Sequence, residues 1–247
     1  MSQLKVKSFG KSDTGLVRSE NQDVLVIEPE VGLFLVADGM GGAASGELAS
    51  SIFAHAALEI FSALKTQPEQ ERFDAVQAAF KLAHERIQDH VRKHSDDQGM
   101  GCTAALATFF DESCCLGHVG DTLGYLLRGG NLRQLTRDHL LVQDQIDQGL
   151  ITSGQAKNHP LKNVILRSVG VDENLAVDLI RGDILRGDIF LLCTDGLTSM
   201  LDEILIGQVL SAKLSLSQKV ERLIEEANSA GGHDNITVIL CEIGMAL

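Results

Sequence analysis

The stretch Val31–Gly39, VGLFLVADG, runs an unbroken apolar block, Leu33–Ala37, into an Asp-Gly pair. A block of that length, ending in a turn signal, reads as a buried strand that stops at Asp38. The same design recurs. HVGD ends an apolar segment at Asp121, FLLCTDG ends another at Asp195-Gly196, and GGHDNITVIL sets Asp234 just ahead of a fourth. Glycine beside a strand end lets the backbone bend, so a short carboxylate can be held at the rim of a sheet with a carbonyl turned toward the same place. One Asp-Gly is an ordinary turn, but four at strand ends suggest a shared site. Converging carboxylates repel by about 4 kcal/mol per pair at ~4 Å and an effective dielectric near 20. The cluster then needs protons or cations. An all-oxygen set without Cys or paired His favours Mg²⁺ or Mn²⁺ over Zn²⁺.

Outward from this stretch, Val24–Ile27 and Val31–Ala37 read as strands joined by a tight turn through Pro29. A helix follows, with Ile52, Ala56, Ile60 and Leu64 recurring every four residues. A second helix is expected over 69–94, with Phe73, Val76, Phe80, Ile87 and Val91 as its stripe. Strands are expected at Cys102–Phe110, Cys114–Val119 and Thr122–Leu127, with a hairpin turn at Gly129–Asn131. Residues 138–163 are polar and weakly helical, a candidate flap. Strands return at Ile189–Thr194 and Ile236–Ile243, with a helix near Ser217–Ser229. This order suggests sheets sandwiched between helices rather than a regular βαβ repeat, in one domain spanning residues 1–247.

Composition narrows the function. Lys and Arg total 21 against 34 Asp and Glu, a net charge of -13, which opposes nucleic-acid binding. No apolar run reaches the ~20 residues that cross a bilayer. The opening residues lack the apolar stretch of a secretory signal, and the five cysteines form no CxxC pair. Together these point to a cytoplasmic protein with reduced, buried thiols.

RSENQD (18–23), VADGMGG (36–42), GELAS (46–50), VGD (119–121), LTRDH (135–139), HP followed by KN and RSVG, LLCTDGL (191–197) and GGHDNITV (231–238) occur in the order found in one family. The chain resembles the metal-dependent protein phosphatases (PPM, type 2C), and most closely their compact bacterial members, over about residues 13–241. The resemblance implies an α+β fold, a four-layer α/β/β/α sandwich with two central antiparallel sheets. It implies a Ser/Thr phosphatase that hydrolyses phosphoserine and phosphothreonine by direct attack of a hydroxide held between two Mn²⁺ or Mg²⁺ ions, without a phosphoenzyme. Matched by motif, Asp38 would bridge both ions and place the attacking group. The Gly39 carbonyl would bind one ion, with Asp195 and Asp234 completing the other. Asp121 with Asp195 would hold a third, weaker ion, and Asp23 would support the metal waters. Arg18 would meet the substrate phosphate with its planar, permanently charged fork.

The resemblance also implies phosphoprotein partners, among them a bacterial Ser/Thr kinase and its substrates, and a monomer. Met40 stands where many eukaryotic members have a proton-donating His. Gln22 replaces a frequent Glu, and Thr122-Leu123 replaces Ser-Arg. His118, His139, His159 and His233 flank the motifs without ligand-like spacing and read as structural, with His159 anchoring the flap. Three rival readings are a regulatory pseudophosphatase, a small-molecule phosphohydrolase and a structural metal-binding module. The intact aspartates oppose the first.

Overall fold

The computed structural model describes residues 4–64 and 69–245. In chain order its elements are β1 (Leu4–Asp13), β2 (Asp23–Glu28), β3 (Leu33–Met40), α1 (Ala43–Ser62), α2 (Glu69–Lys93), β4 (Gly101–Phe110), β5 (Ser113–Val119), β6 (Leu123–Arg128) and β7 (Asn131–Gln134). Then come α3 (Leu141–Asp147), α4 (Ser153–Ala156), β8 (Asp178–Asp183), β9 (Ile189–Cys193), α5 (Asp195–Thr198), α6 (Glu203–Ser211), α7 (Leu216–Ser229) and β10 (Ile236–Met245).

Period-two alternation sends neighbouring strand residues into different layers. On β3, Leu33, Leu35 and Ala37 pack with Phe53, Ala57 and Phe80 of the first helix pair. Between them, Phe34 and Val36 face the other sheet, where they join Phe190, Leu192, Ile239 and Cys241. On β9 and β10, Leu191, Cys193, Val238 and Leu240 point away again, onto Val209, Val220 and Leu223 of the late helices. Three apolar cores thus separate four layers. The two sheets are antiparallel, in the orders β1-β10-β9-β6-β7 and β2-β3-β4-β5-β8. Edge-to-face ring pairs tie them together through Phe109, whose centroid lies 5.4 Å from Phe34 and 4.9 Å from Phe190. This is the expected α+β sandwich.

The structure differs from the sequence reading in α1 and β1, and it adds β8 and α6. Of the expected stripe Ala56 is buried, but Ile52, Ile60 and Leu64 are only half-buried, and α1 also turns Ala49, Phe53, Ala57 and Phe61 inward. Small residues let this helix lie close on the sheet. The first strand went unread because Leu4–Asp13 mixes three lysines into its alternation. It is a sheet edge, paired with β10 from Leu4↔Met245 to Asp13↔Ile236, and lysine there suits an exposed edge. The turn through Pro29 closes as expected, with Val31 N–H donating to Glu28 O at 3.2 Å and Gly32 N–H to Pro29 O at 3.3 Å. Among the described residues, no helix is long and apolar enough to cross a membrane.

Candidate active site at the rim of the sandwich

The register places the carboxylates. Asp38 stands directly opposite Asp23 on β2 and Thr103 on β4, so the three side chains share one face. Their parity is that of Phe34 and Val36, and they therefore point into the gap between the sheets. Thr194 and Thr237 share the inter-sheet parity of Leu192 and Ile239 on the opposite sheet. Both hydroxyls donate to Asp23 Oδ2, at 2.9 and 2.6 Å, which pins one sheet to the other at this rim. A second cross-sheet link joins the hydroxyls of Thr103 and Thr122 at 2.5 Å.

Asp195 opens α5, directly after Thr194. Gly196 must be glycine, since a Cβ there would fall 1.9 Å from Asn235 O. Asp234 precedes β10 in a loop fixed by Asn235, whose amide donates to Thr14 O and Glu20 O at 2.9 Å while its Oδ1 accepts from Gln22 N–H. Asp121 follows Gly120, which takes φ +100° with no room for a side chain beside Thr103. Gly39 is equally confined: its N–H donates to Gln22 O at 3.2 Å, and a Cβ would meet Gly46 O at 1.9 Å. Gly46 in turn leaves space around Gly39 O, which a methyl group would approach to 2.8 Å.

The result is an open cavity of about 450 Å³ lined by Arg18, Asp38, Gly39, Asp121, Asp195 and Asp234, together with Met40, Thr103, Asn163 and Ile165. Six of the seven singled-out residues therefore meet in one pocket. Asp23 lies beneath it, 7% exposed. Arg18 spans the mouth and donates to Asp234 Oδ2 at 2.8 Å. Asn163 and Ile165 bring the end of the expected flap to the wall, while His159 Nδ1 accepts from Leu161 N–H at 3.2 Å, a bond within its own turn. Sequence reasoning missed Thr194, Thr237, Thr103 and Asn235. The signal in the sequence was slight: Thr122 and Thr194 sit beside Asp121 and Asp195, whereas Asp38 has no hydroxyl neighbour in the chain.

Electrostatics match a cation site. Burial first, and then the charges of Asp23, Asp195 and Asp121, hold the Asp38 carboxyl well above the usual range. Burial and the Asp195 charge push Asp121 up to about 8. Burial raises Asp23 to about 7 against the pull of the Thr237 and Thr194 hydroxyls. Burial and Asp234 raise Asp195 to about 6, with Arg18 opposing. Among the described residues, Asp195 Oδ1 and Asp23 Oδ1 are buried without a hydrogen-bond partner. Repelling carboxylates with spare oxygens, beside an unobstructed carbonyl, fit hard divalent ions.

Comparison with known proteins agrees. The family model described as protein phosphatase 2C matches residues 17–240. The chain is 36% identical over 238 residues to the serine/threonine phosphatase stp of Listeria innocua, covering 94% of each protein. It is 34% identical to the serine/threonine protein phosphatase PstP of Mycobacterium tuberculosis over 97% of this chain and 45% of that protein. The crystal structure of the M. tuberculosis phosphatase PstP/Ppp superposes with a TM-score of 0.90 at 33% identity, covering 97% of this chain and 99% of that one. The PstP catalytic domain in complex with two manganese ions does so at 0.88 and 32%, covering 98% and 99%.

Proposed function

The chain belongs to the protein phosphatase 2C family of metal-dependent serine/threonine protein phosphatases, and we propose that the pocket between its sheets is where phosphoserine and phosphothreonine of other proteins are hydrolysed. The observation that carries this reading is the convergence of the Arg18 guanidinium and the carboxylates of Asp38, Asp121, Asp195 and Asp234 on a single open cavity, which Glu20 also lines. Asp38, the Gly39 carbonyl, Asp195 and Asp234 would hold two Mn²⁺ or Mg²⁺ ions, and Asp121 with Asp195 a third. Ions bound there acidify coordinated water and offset charge on the phosphoryl oxygens.

The chain's own groups set the remaining terms. Arg18 stays charged and can turn from Asp234 to two phosphate oxygens. Asp23, fixed by two threonines, keeps the rim from spreading and presents its free oxygen toward the cluster. Cys193 is fully buried and its thiol is raised by burial, so no thiolate is offered as a nucleophile. Met40 lines the pocket and cannot donate a proton, which leaves leaving-group protonation to solvent. Val17, Leu161 and Val164, neighbours in the chain of Arg18 and Asn163, expose apolar surface that a protein substrate could cover. The flap over 138–163 lies within one continuous domain and shapes that surface.

The reaction reverses the work of Ser/Thr kinases, so such a kinase and its substrates are the fitting partners. Arg18 and the four aspartates of a single chain already meet in one pocket, so a monomer can act alone. Reduced, buried cysteines suit the cytoplasm. Phosphothreonine peptide assays with Mn²⁺, Mg²⁺ or EDTA, on the natural enzyme and on Asp195→Asn, test the reading. Turnover that survives both chelation and the substitution refutes it.

A further inference from the structure

Away from the pocket carboxylates, His118, His139 and Asp178 bring ligand atoms within 4.8 Å of one another. Their hydrogen bonds oppose an ion there. Gly120 N–H donates to His139 Nδ1 at 3.0 Å, which needs a lone pair on that nitrogen and leaves the ring proton on Nε2. Asp178 Oδ2 lies 3.2 Å from Nε2 and can accept its proton. Arg167 Nη1 donates to the other carboxylate oxygen at 3.1 Å and merely passes Nε2 at 3.3 Å, since two donors cannot bond. An ion at Nε2 would have to strip a proton from a ring whose second nitrogen already accepts, and to displace a guanidinium. His118 packs its buried ring 4.6 Å from that of His139.

The same bonds give His139 another role. Its backbone N–H donates to Gly120 O at 2.8 Å, so one residue grips both the N–H and the C=O of Gly120. Gly120 is the turn that delivers Asp121 to the pocket. On its other side, His139 O accepts from Leu166 N–H at 2.7 Å, and Leu140 bridges Ile165. Asn163 and Ile165 line the same cavity as Asp121. One histidine thus joins an acidic turn of the site to the end of the flap.

We propose that His139 is a positioning residue for the phosphatase reaction: it locks the Gly120-Asp121 turn against the Asn163–Ile165 wall. Asp178 acts through it by accepting from Nε2–H, which fixes the tautomer that leaves Nδ1 free to accept. The inference rests on reading the pocket as a phosphatase site, but the grip on Gly120 can be measured without turnover.

The test compares His139→Asn, whose Oδ1 replaces Nδ1 as acceptor, with His139→Gln, which reaches toward Asp178 and offers Gly120 N–H no partner. Three properties are read: hydrogen exchange at the Gly120 amide in EDTA, Mn²⁺ affinity, and kcat and KM on a phosphothreonine peptide. His139→Gln is expected to speed Gly120 exchange about tenfold, as for one lost hydrogen bond, and to lower kcat/KM and Mn²⁺ affinity by a similar factor. His139→Asn should stay within about threefold of the natural enzyme. Should His139→Gln fail to fold, Asp178→Asn, which can donate to Nε2 and drive the proton to Nδ1, is expected to speed Gly120 exchange in its place. Equal behaviour of the Asn and Gln variants, or unchanged Gly120 exchange in every variant, overturns the proposal. A natural enzyme without phosphatase activity, but with the expected exchange pattern, sinks the phosphatase reading and leaves the grip standing.

Discussion

The guanidinium of Arg18 donates to Asp234 at 2.8 Å, joining residues 216 positions apart at the mouth of the pocket. Both side chains are partly exposed, at 54% and 31%, so the pair contributes at most about 1 kcal/mol to folding. A weak, solvent-facing pair is easily exchanged for a doubly charged phosphate. Arg18→Ala should therefore raise KM for a phosphothreonine peptide about tenfold or more, with a smaller change in kcat and a melting temperature within ~2 °C of the natural protein. Steady-state kinetics and a thermal melt check this, and unaltered kinetics would remove Arg18 from the site.

Asp195 carries a buried oxygen without a partner, beside a charge that repels it. The arrangement is poor for stability and good for an ion. Asp195→Asn and Asp38→Asn should lose about a thousandfold or more in turnover. In EDTA at pH 8 they should melt above the natural protein, while the rise in melting temperature caused by Mn²⁺ should shrink or vanish. A natural protein whose melting point ignores Mn²⁺ would contradict the assignment.

The pH dependence follows from the same carboxyls. Unfolded aspartates titrate near 4. Asp195, Asp23 and Asp121 are raised to about 6, 7 and 8 in the fold, so the metal-free folded chain holds more protons than the unfolded one. Their stabilisation is complete below pH ~4 and is lost as pH climbs through ~6–8. Metal-free protein should thus melt several degrees lower at pH 8 than at pH 5, and saturating Mn²⁺ should reduce that loss. Asp121→Asn should flatten the EDTA profile. A profile that rises from pH 5 to pH 8 without metal would be incompatible with these shifts.

Gly196 shows how tightly the backbone is set. A methyl group would lie 1.9 Å from Asn235 O, and a carbonyl on an anchored loop cannot yield that far. Gly196→Ala should cost about 2–3 kcal/mol or more and should displace Asp195 and Asp234 together. Denaturant melts and Mn²⁺ titration would register both effects. Wild-type stability would show that the loop gives way.

Much of the fold was legible because its strands end where apolar blocks meet Asp-Gly. Leu33–Ala37 gave its strand and the parity of its faces at once, and Phe73, Val76, Phe80 and Ile87 marked the buried side of α2. Gathering of the aspartates was suggested by repetition, and the family motifs sharpened it. Other parts left no such trace. Leu4–Asp13 is a strand only because β10 lies beside it, and its lysines conceal the alternation. Asp178–Asp183 is likewise an exposed edge with a single apolar pair, Leu179-Ile180. The supporting hydroxyls of Thr194 and Thr237 matter through a register between distant segments, and register is a property of the folded pairing. His139 reads from the sequence as a structural histidine, but its partner Gly120 is fixed only when the chain closes.

The acidic groups are divided between the sheets: Asp38 and Asp121 come with β3 and β5, Asp195 and Asp234 with β9 and β10. Strand β10 is the last element of the described chain, and it lies between β1 and β9. The residues through Asp234 and β10 must therefore be synthesised before these four aspartates can meet. Chains cut short ahead of Asp234 are expected to lack phosphatase activity, which an assay of such truncations would check.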